Sequence, residues 1–287
     1  MSFSAESDTT SFRRALRPFS LIVALATCGL GVSLAWLDGA RDAGLSALVL
    51  FNGLLLQIAV NLINDHRDID STRFSVDQKR AIRRNTHIGY GVMGVAVLIG
   101  LYLVSLRGWP LLLLGLVGVF GAWGYTGGQI NYKSRGLGIL LVFLFMGVLL
   151  IGGAYYVVTG DYNLRVFLLS LPFSLLSSLL LLSNELRDYE ADLAEGIRTL
   201  SVRLGYDFGV RLYYSLSAAV YLISVLLYQA GLLQGVWLLL VTALALWQPL
   251  KLLRAPPAMR HRLTPLTGRL YLLFSLAFIA SLWGALP

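Results

Sequence analysis

The sequence is poor in charged residues and in cysteine, and each shortage narrows what the protein can be. Charged side chains make up 13% of its 287 residues, whereas a soluble globular domain carries about 25%. A single cysteine, Cys28, excludes both a disulfide within the chain and a metal site built from several thiolates. The three histidines, His66, His87 and His261, lie far apart in the sequence, which argues against a histidine metal site.

The sequence is instead rich in long apolar stretches. Hydrophobic residues account for 57% of the chain and the mean hydropathy is +0.72. Runs of about 20 apolar residues, the length that spans a bilayer, recur along the sequence. We therefore predict an all-α, polytopic membrane protein with nine transmembrane helices. The predicted spans are 19–37, 43–64, 87–106, 109–125, 137–158, 165–184, 211–231, 234–252 and 267–286.

No low-complexity linker divides the chain, so we predict one domain over residues 1–287. Its polar N-terminal tail, residues 1–18, has no signal-peptide pattern. All but three of the 23 Lys and Arg residues lie in this tail or on the same side of the predicted bundle; the exceptions are Arg41, Arg107 and Arg165. Because basic residues favour the cytoplasmic side, we predict a cytoplasmic N-terminus. Topology thus explains the net charge of +8, and no nucleic-acid partner is expected.

Acidic residues gather in two of the predicted cytoplasmic connections. Ten of the 15 carboxylates lie within 65–86 and 185–211. Each group begins with a similar pentapeptide, NDHRD at 64–68 and NELRD at 184–188, and each pentapeptide closes an even-numbered span. This repetition suggests two related halves that face each other across a cavity.

The acidic groups contain the oxygen ligands that suit a hard divalent cation. Helical positions four residues apart share a face, so Asn64 pairs with Asp68 and Asp188 pairs with Asp192. Carboxylates crowded in this way repel each other. Mg²⁺ removes the conflict, since it binds through one or two carboxylates together with phosphate oxygens. We predict Mg²⁺ and a diphosphate between the two motifs.

Basic residues near both motifs supply further contacts for phosphate oxygens. The candidates are Arg67, Lys133, Arg135, Arg187 and Arg198. The alternative interpretation is that these acids and arginines are solvated helix ends, whose surface ion pairs contribute ~0–1 kcal/mol each. The occurrence of two similar motifs on one side of the membrane favours the site.

The motifs resemble those of the UbiA superfamily of intramembrane prenyltransferases. The more specific match is the second motif, NELRDYEADLAEGIRTLSVRLG at 184–205, and NDHRD at 64–68 resembles the first Asp-rich signature. Two segments between them resemble the 1,4-dihydroxy-2-naphthoate polyprenyltransferases of menaquinone synthesis. These segments are YTGGQINYKSRGLGILLVFLFMG at 125–147 and GGAYYVVTG at 152–160.

The resemblance implies a fold and an activity. The fold is a nine-helix bundle around a central cavity that opens to the cytoplasmic side and toward lipid. Mg²⁺ links both motifs to an isoprenyl (allylic) diphosphate, whose chain is transferred to an aromatic acceptor. In this branch the acceptor is 1,4-dihydroxy-2-naphthoate and the product is demethylmenaquinone. The expected location is a bacterial cytoplasmic membrane, with the active site on the cytoplasmic side.

The resemblance also implies roles for individual residues. The predicted metal-binding set is Asn64, Asp65, Asp68, Asn184, Asp188 and Asp192. The predicted diphosphate contacts are Arg67, Lys133, Arg187 and Arg198. The predicted catalytic residues are Asp68, Asp188, Tyr125 and Arg135, of which the last two belong to the segment that holds the diphosphate and stabilises the cation.

Three departures from the family pattern concern the acceptor more than the fold. Thr72 stands where an acid is frequent, and Ile130 and Ile197 stand where lysine is common. The alternatives are therefore another acceptor, of the 4-hydroxybenzoate, homogentisate or glycerol phosphate type, or a transporter. A transporter that couples to ions through acids predicts a carboxylate near the middle of a span, and no predicted span has one.

Overall fold

The computed structural model describes residues 12–64, 66, 69, 75–126 and 132–284, and this part of the chain is helical without strands. The α-helices are α1 (Phe12–Ala15), α2 (Pro18–Leu37), α3 (Ala43–Asn64), α4 (Val76–Arg107), α5 (Trp109–Thr126), α6 (Gly138–Val142), α7 (Leu150–Thr159), α8 (Leu164–Arg187), α9 (Tyr189–Ala194), α10 (Leu200–Leu204), α11 (Tyr206–Gln229), α12 (Trp237–Thr242), α13 (Trp247–Leu252) and α14 (Leu263–Leu282). A π-helical segment, Phe143–Leu149, joins α6 to α7. Short 3₁₀ turns occupy Lys133–Arg135, Ala243–Leu246 and Pro257–Arg262.

The apolar helices coincide with the predicted spans. Within the described ranges, seven helical segments are long and apolar enough to cross a membrane: Pro18–Leu37, Ala43–Asn64, Val76–Arg107, Gly138–Thr159, Leu164–Arg187, Tyr206–Gln229 and Pro257–Leu282. Two shorter apolar helices, Trp109–Ala122 and Trp237–Leu252, lie at the fourth and eighth predicted positions. The all-α, membrane-spanning fold is thereby confirmed. Nine complete crossings and a cytoplasmic N-terminus stay predictions.

One connection between helices is shorter in the structure than in the prediction. The segment expected as a connection at 65–86 ends early, because α4 begins at Val76. Ser75 Oγ accepts a hydrogen bond from Gln78 N at 3.3 Å, and Gln78 Oε1 accepts one from Ser75 N at 2.8 Å. This reciprocal capping box supplies partners for backbone N–H groups that the first helical turn cannot satisfy. The apolar stretch from residue 87 marked only the part of α4 that can lie in lipid.

Helix α8 is the centre of the bundle. Most of its side chains are buried, and it packs against α11, α14 and the π-helical segment. The ring of Phe173 makes edge contacts with Tyr271, Phe274 and Phe278, with centroid separations of 6.1, 6.3 and 5.3 Å. Such aromatic pairs contribute about 0.5–1.5 kcal/mol beyond their buried area. This packing fixes the middle of α8, the helix whose C-terminal end carries the second motif.

At the opposite end of the bundle, Arg107 and Arg165 each connect one helix to the end of another. Arg107 donates from Nε to the Val157 carbonyl at 2.6 Å and from Nη2 to the Val158 carbonyl at 2.8 Å. Arg165 forms an ion pair with Asp38. These contacts fasten α4 to the end of α7 and α8 to the end of α2. Basic residues at this end thus have a structural role.

Candidate active site

The second motif occupies the junction between α8 and α9. Asp188 N donates to Asn184 O at 2.9 Å, and Asp192 N donates to Asp188 O at 2.8 Å. Although Asp188 (φ −96°, ψ 8°) lies outside both helices, the four-residue hydrogen-bond ladder runs through it. The three predicted oxygen ligands therefore follow one another on successive turns. Asn184 and Asp192 are both half-buried.

Arg187 and Asp188 form a bidentate ion pair. Arg187 Nε donates to Asp188 Oδ1 at 2.7 Å, and Nη2 donates to Oδ2 at 2.6 Å. The two side chains are 32% and 43% exposed, respectively. Pairs exposed to this degree contribute ~0–1 kcal/mol, because solvent screens the attraction. The pair can open at little cost when a cation approaches the carboxylate or a phosphate approaches the guanidinium.

A threonine from α14 orients the amide of the second motif. Thr264 Oγ1 donates to Asn184 Oδ1 at 2.8 Å. Thr264 is buried. A carbonyl oxygen has two lone pairs, so Asn184 Oδ1 retains one for a metal. No local pattern in the sequence connects Asn184 with Thr264.

Glu185, the acid beside Asn184, points into the protein. It is 5% exposed. Its Oε2 accepts hydrogen bonds from Ser201 N and Ser201 Oγ, both at 3.1 Å. Ser201 lies in the first turn of α10, where unpaired N–H groups favour a carboxylate. Glu185 thus folds the end of the motif back against α8.

Arg203 connects the second motif to the 3₁₀ turn at Lys133–Arg135. Its Nη2 donates to Ser134 O at 2.8 Å, and its Nε donates to Arg198 O at 3.1 Å. Next to this turn, Gly136 has φ +75°, and a Cβ added there would lie 3.0 Å from Arg203 Cδ. Two predicted phosphate-binding segments are therefore neighbours. Sequence reasoning assigned no role to Arg203.

Helix α9 is also attached to the segment that precedes α14. Glu190 Oε1 accepts a hydrogen bond from Arg260 Nη1 at 2.8 Å. The buried Arg260 guanidinium lies 4.0 Å from the centroid of the Tyr206 ring. That ring makes an edge contact with Tyr189, with a centroid separation of 5.4 Å. Contacts from α11 and from Arg260 thus determine where α9 lies, and neither Arg260 nor Tyr206 was singled out from the sequence.

Several predicted residues lie outside the described part of the chain. From the first motif these are Asp65, Arg67 and Asp68, together with the departures Thr72 and Ile130. Of Tyr125 and Lys133 only the backbone is described; the former is the penultimate residue of α5 and the latter begins the 3₁₀ turn. Asn64 is the half-buried last residue of α3, and Arg135 and Arg198 are exposed. The roles assigned to all of these residues stay predictions.

The side-chain oxygens of the described site residues are chemically suitable ligands for magnesium. Asn184, Asp188 and Asp192 offer amide and carboxylate oxygens, the ligands that Mg²⁺ prefers. In the described ranges no three His, Cys, Asp or Glu side chains cluster as a metal site. A small number of protein ligands is nevertheless typical of Mg²⁺, which takes its other ligands from phosphate and water.

The chain is similar in sequence and in structure to proteins of one family. A model of the UbiA prenyltransferase family matches residues 21–261. The 1,4-dihydroxy-2-naphthoate octaprenyltransferase of Escherichia coli (strain K12) is 31% identical over 303 residues, which cover 97% of this chain and 98% of the relative. The enzyme of the same name from Bacillus subtilis (strain 168) is 31% identical over 216 residues, covering 72% of this chain and 70% of the relative.

A solved structure has the same fold. It is a UbiA homolog from Archaeoglobus fulgidus bound to GPP and Mg²⁺, with a TM-score of 0.63 over 94% of this chain and 99% of that chain. The sequence identity between the two is 15%, so the likeness concerns the architecture.

Proposed function

The chain belongs to the UbiA prenyltransferase family, and we propose that its substrates are an allylic diphosphate and 1,4-dihydroxy-2-naphthoate, with Mg²⁺ as cofactor. As a member of this family it is an integral membrane enzyme that transfers isoprenoid chains. The choice of acceptor rests on one observation: the naphthoate octaprenyltransferase of Escherichia coli is 31% identical along nearly the whole of both chains.

The cofactor and the donor have a separate basis. The fold is shared with a protein that was solved with GPP and Mg²⁺. The oxygen ligands Asn184, Asp188 and Asp192 suit that metal. Bound Mg²⁺ would supply positive charge opposite the leaving diphosphate. The first motif, with Asn64, Asp65 and Asp68, is proposed as the other half of the metal site.

Two charged side chains of the second motif, Arg187 and Asp188, are paired with each other. Asp188 is held by Arg187 in a partly exposed pair that contributes ~0–1 kcal/mol. Exchange of partners therefore costs little when the diphosphate enters: Arg187 turns to a phosphate oxygen, and Asp188 becomes available to the metal. Arg67, Arg198, Lys133 and Arg135 are proposed to contact the remaining phosphate oxygens.

The transfer itself breaks one bond and makes another. The C–O bond of the allylic diphosphate ionises, and diphosphate leaves with the bonding electrons. Aromatic faces such as that of Tyr125 stabilise the allylic cation. A ring carbon of the acceptor then forms the new C–C bond, and the carboxylate leaves as CO₂, so that its electron pair stays with the ring and the product is demethylmenaquinol, the reduced form of demethylmenaquinone. Exclusion of water from the apolar bundle protects the cation from hydrolysis.

The location of the second motif suits an amphiphilic donor. The motif follows the end of α8, where a charged head can stay in water while the isoprenoid tail lies in hydrocarbon. The distribution of Lys and Arg favours the cytoplasmic side for this end. A bacterial cytoplasmic membrane is the proposed location.

A product analysis tests the proposal. The purified full chain in lipid nanodiscs would receive Mg²⁺, a series of allylic diphosphates of increasing length, and one acceptor at a time. The acceptors would be 1,4-dihydroxy-2-naphthoate, 4-hydroxybenzoate, homogentisate and glycerol phosphate. We expect a prenylated naphthoquinol whose mass shows the loss of CO₂. Transfer to a different acceptor alone would overturn the naphthoate assignment, and the absence of product with every acceptor would overturn the proposed activity.

A further inference from the structure

A concave groove lies beside the second motif, between the first turns of α11 and the segment after α13. Its volume is about 470 Å³. Polar and aromatic side chains make up most of its wall: Tyr206, Asp207, Arg211, Tyr214, Arg254 and Arg260. We name it the α11–α13 groove.

The α11–α13 groove offers two guanidinium groups that have no side-chain partner among the described residues. Arg211 and Arg254 are exposed, and neither forms an ion pair or a side-chain hydrogen bond with any described residue. Arg260 differs, because its guanidinium is engaged with Glu190. One carboxylate, that of Asp207, lies in the groove wall, so positive charge prevails there. Guanidinium groups converging on a cavity are suited to a phosphate, which they can bind through paired N–H donors.

The surface next to the groove is suited to hydrocarbon. Along α11 an exposed stripe at helical spacing leads from Asp207 and Arg211 to Leu222 and Leu226. On the other side, α13 begins with the exposed Trp247, a residue type enriched where membrane meets water. A ligand held in the groove by a phosphate therefore has apolar helix surface beside it for a pair of acyl chains.

We propose that the α11–α13 groove binds the headgroup of an anionic phospholipid. Arg211 and Arg254 contact the phosphate, and the acyl chains lie along the exposed stripe of α11. Charge complementarity and the adjoining apolar surface together select a lipid over a free anion.

The groove shares two wall residues with the active-site region. Tyr206 contacts the ring of Tyr189, and Arg260 is paired with Glu190, so both hold α9, the helix that carries Asp192. Tyr206 OH also donates to Leu253 O at 2.7 Å, which ties the two groove walls together. A headgroup that draws these walls together stabilises α9 and increases prenyl transfer. This consequence rests on the proposed function, whereas binding of the lipid does not.

Binding is tested without any assay of activity. The full chain, purified in detergent with equal amounts of phosphatidylglycerol and phosphatidylcholine, would be examined by native mass spectrometry. The groove variant is Arg211→Gln/Arg254→Gln. The matched control is Arg83→Gln/Arg84→Gln, which removes two exposed charges from α4, on the same predicted side of the membrane. Thermal unfolding of both variants would verify folding.

We expect wild type and control to retain phosphatidylglycerol preferentially and the groove variant to retain about tenfold less. Equal retention by the groove variant and the control would overturn the site. A third arm adds inorganic phosphate at millimolar concentration. We expect the lipid to stay bound. Its displacement by phosphate would overturn the assignment of the groove to a lipid and would favour a free phosphate as the ligand.

The coupling to α9 is tested in nanodiscs. Prenyl transfer by wild type and control should be faster with phosphatidylglycerol than with phosphatidylcholine alone, and the groove variant should lose this difference. Lipid retention without any effect on rate would overturn the coupling and leave the binding site in place. Absence of transfer in every lipid would instead overturn the proposed function.

Discussion

Glu185 and Ser201 are joined by two hydrogen bonds, from the backbone N–H and the hydroxyl of Ser201 to one carboxylate oxygen of Glu185. Both residues are buried. The contact closes the segment that carries Asp188 and Asp192 into a compact loop between α8 and α10. Glu185 lies between the predicted metal ligands Asn184 and Asp188, but its role is structural: it stabilises the fold of the second motif.

Replacement of Glu185 should destabilise the loop, and the loss of stability should depend on whether the new side chain can accept hydrogen bonds from Ser201. In Glu185→Ala both Ser201 donors lose their acceptor, which should cost about 1–3 kcal/mol. Glu185→Gln keeps an acceptor oxygen and should cost less. Thermal unfolding of the detergent-solubilised wild type and of both variants measures their relative stability. Identical unfolding of Glu185→Ala and wild type would show that the contact contributes nothing.

Loss of Asp188 should abolish prenyl transfer while the protein still inserts into membranes. Asp188→Ala removes a proposed metal ligand, and the rate should fall more than about 100-fold, as when charge stabilisation of a transition state is lost. The control is Asp77→Asn, which removes an exposed acid in the first turn of α4. Near-normal turnover by purified, folded Asp188→Ala would refute the metal assignment.

Replacement of Arg187 should have opposite effects on the two ligands. In Arg187→Gln the diphosphate loses a charged donor, so its KM should rise about tenfold. Asp188 loses its competing partner, so half-maximal activity should need less Mg²⁺. Arg187→Lys should restore the KM only in part, because an ammonium cannot form the paired contact. Steady-state titrations of both ligands give the values, and unchanged KM and Mg²⁺ dependence would exclude the exchange of partners.

Gly136 should resist substitution because of both its backbone and its neighbour. Its φ of +75° disfavours any residue with a Cβ, and that Cβ would press on Arg203. Gly196 has a similar φ of +71° with nothing within 4 Å of an added Cβ, so Gly196→Ala is a matched control for strain alone. Gly136→Ala should lower the unfolding temperature and the activity more than the control. Equal effects of the two substitutions would mean that the Arg203 contact is unimportant.

The membrane helices were predictable because their signal is local and strong. A run of apolar residues long enough to cross a bilayer leaves few alternatives, and the described helices fall on the predicted spans. The start of α4 was missed because the apolar stretch begins only at residue 87, whereas the helix begins at Val76. A local signal was present there nonetheless: Ser75 and Gln78 have the spacing of a capping box.

The helical spacing of the second motif was predictable from the sequence, whereas the partners of its side chains were not. Helical hydrogen bonding dictates that Asn184, Asp188 and Asp192 follow one another on successive turns, since each bond joins residues four apart. Which partner each acid finds depends on groups distant in the sequence. Glu185 meets Ser201, and Glu190 meets Arg260.

The sequence by itself determined the class of protein, the position of its apolar helices and the spacing within its motifs, because hydrophobicity and helical periodicity act over short stretches of chain. Only the tertiary structure decided that Thr264 orients Asn184 and that Arg203 joins Ser134 to Arg198. These partners lie on different helices or turns, and packing of the bundle selects them. For that reason the acids of one motif, alike in sequence, have different environments in the folded protein.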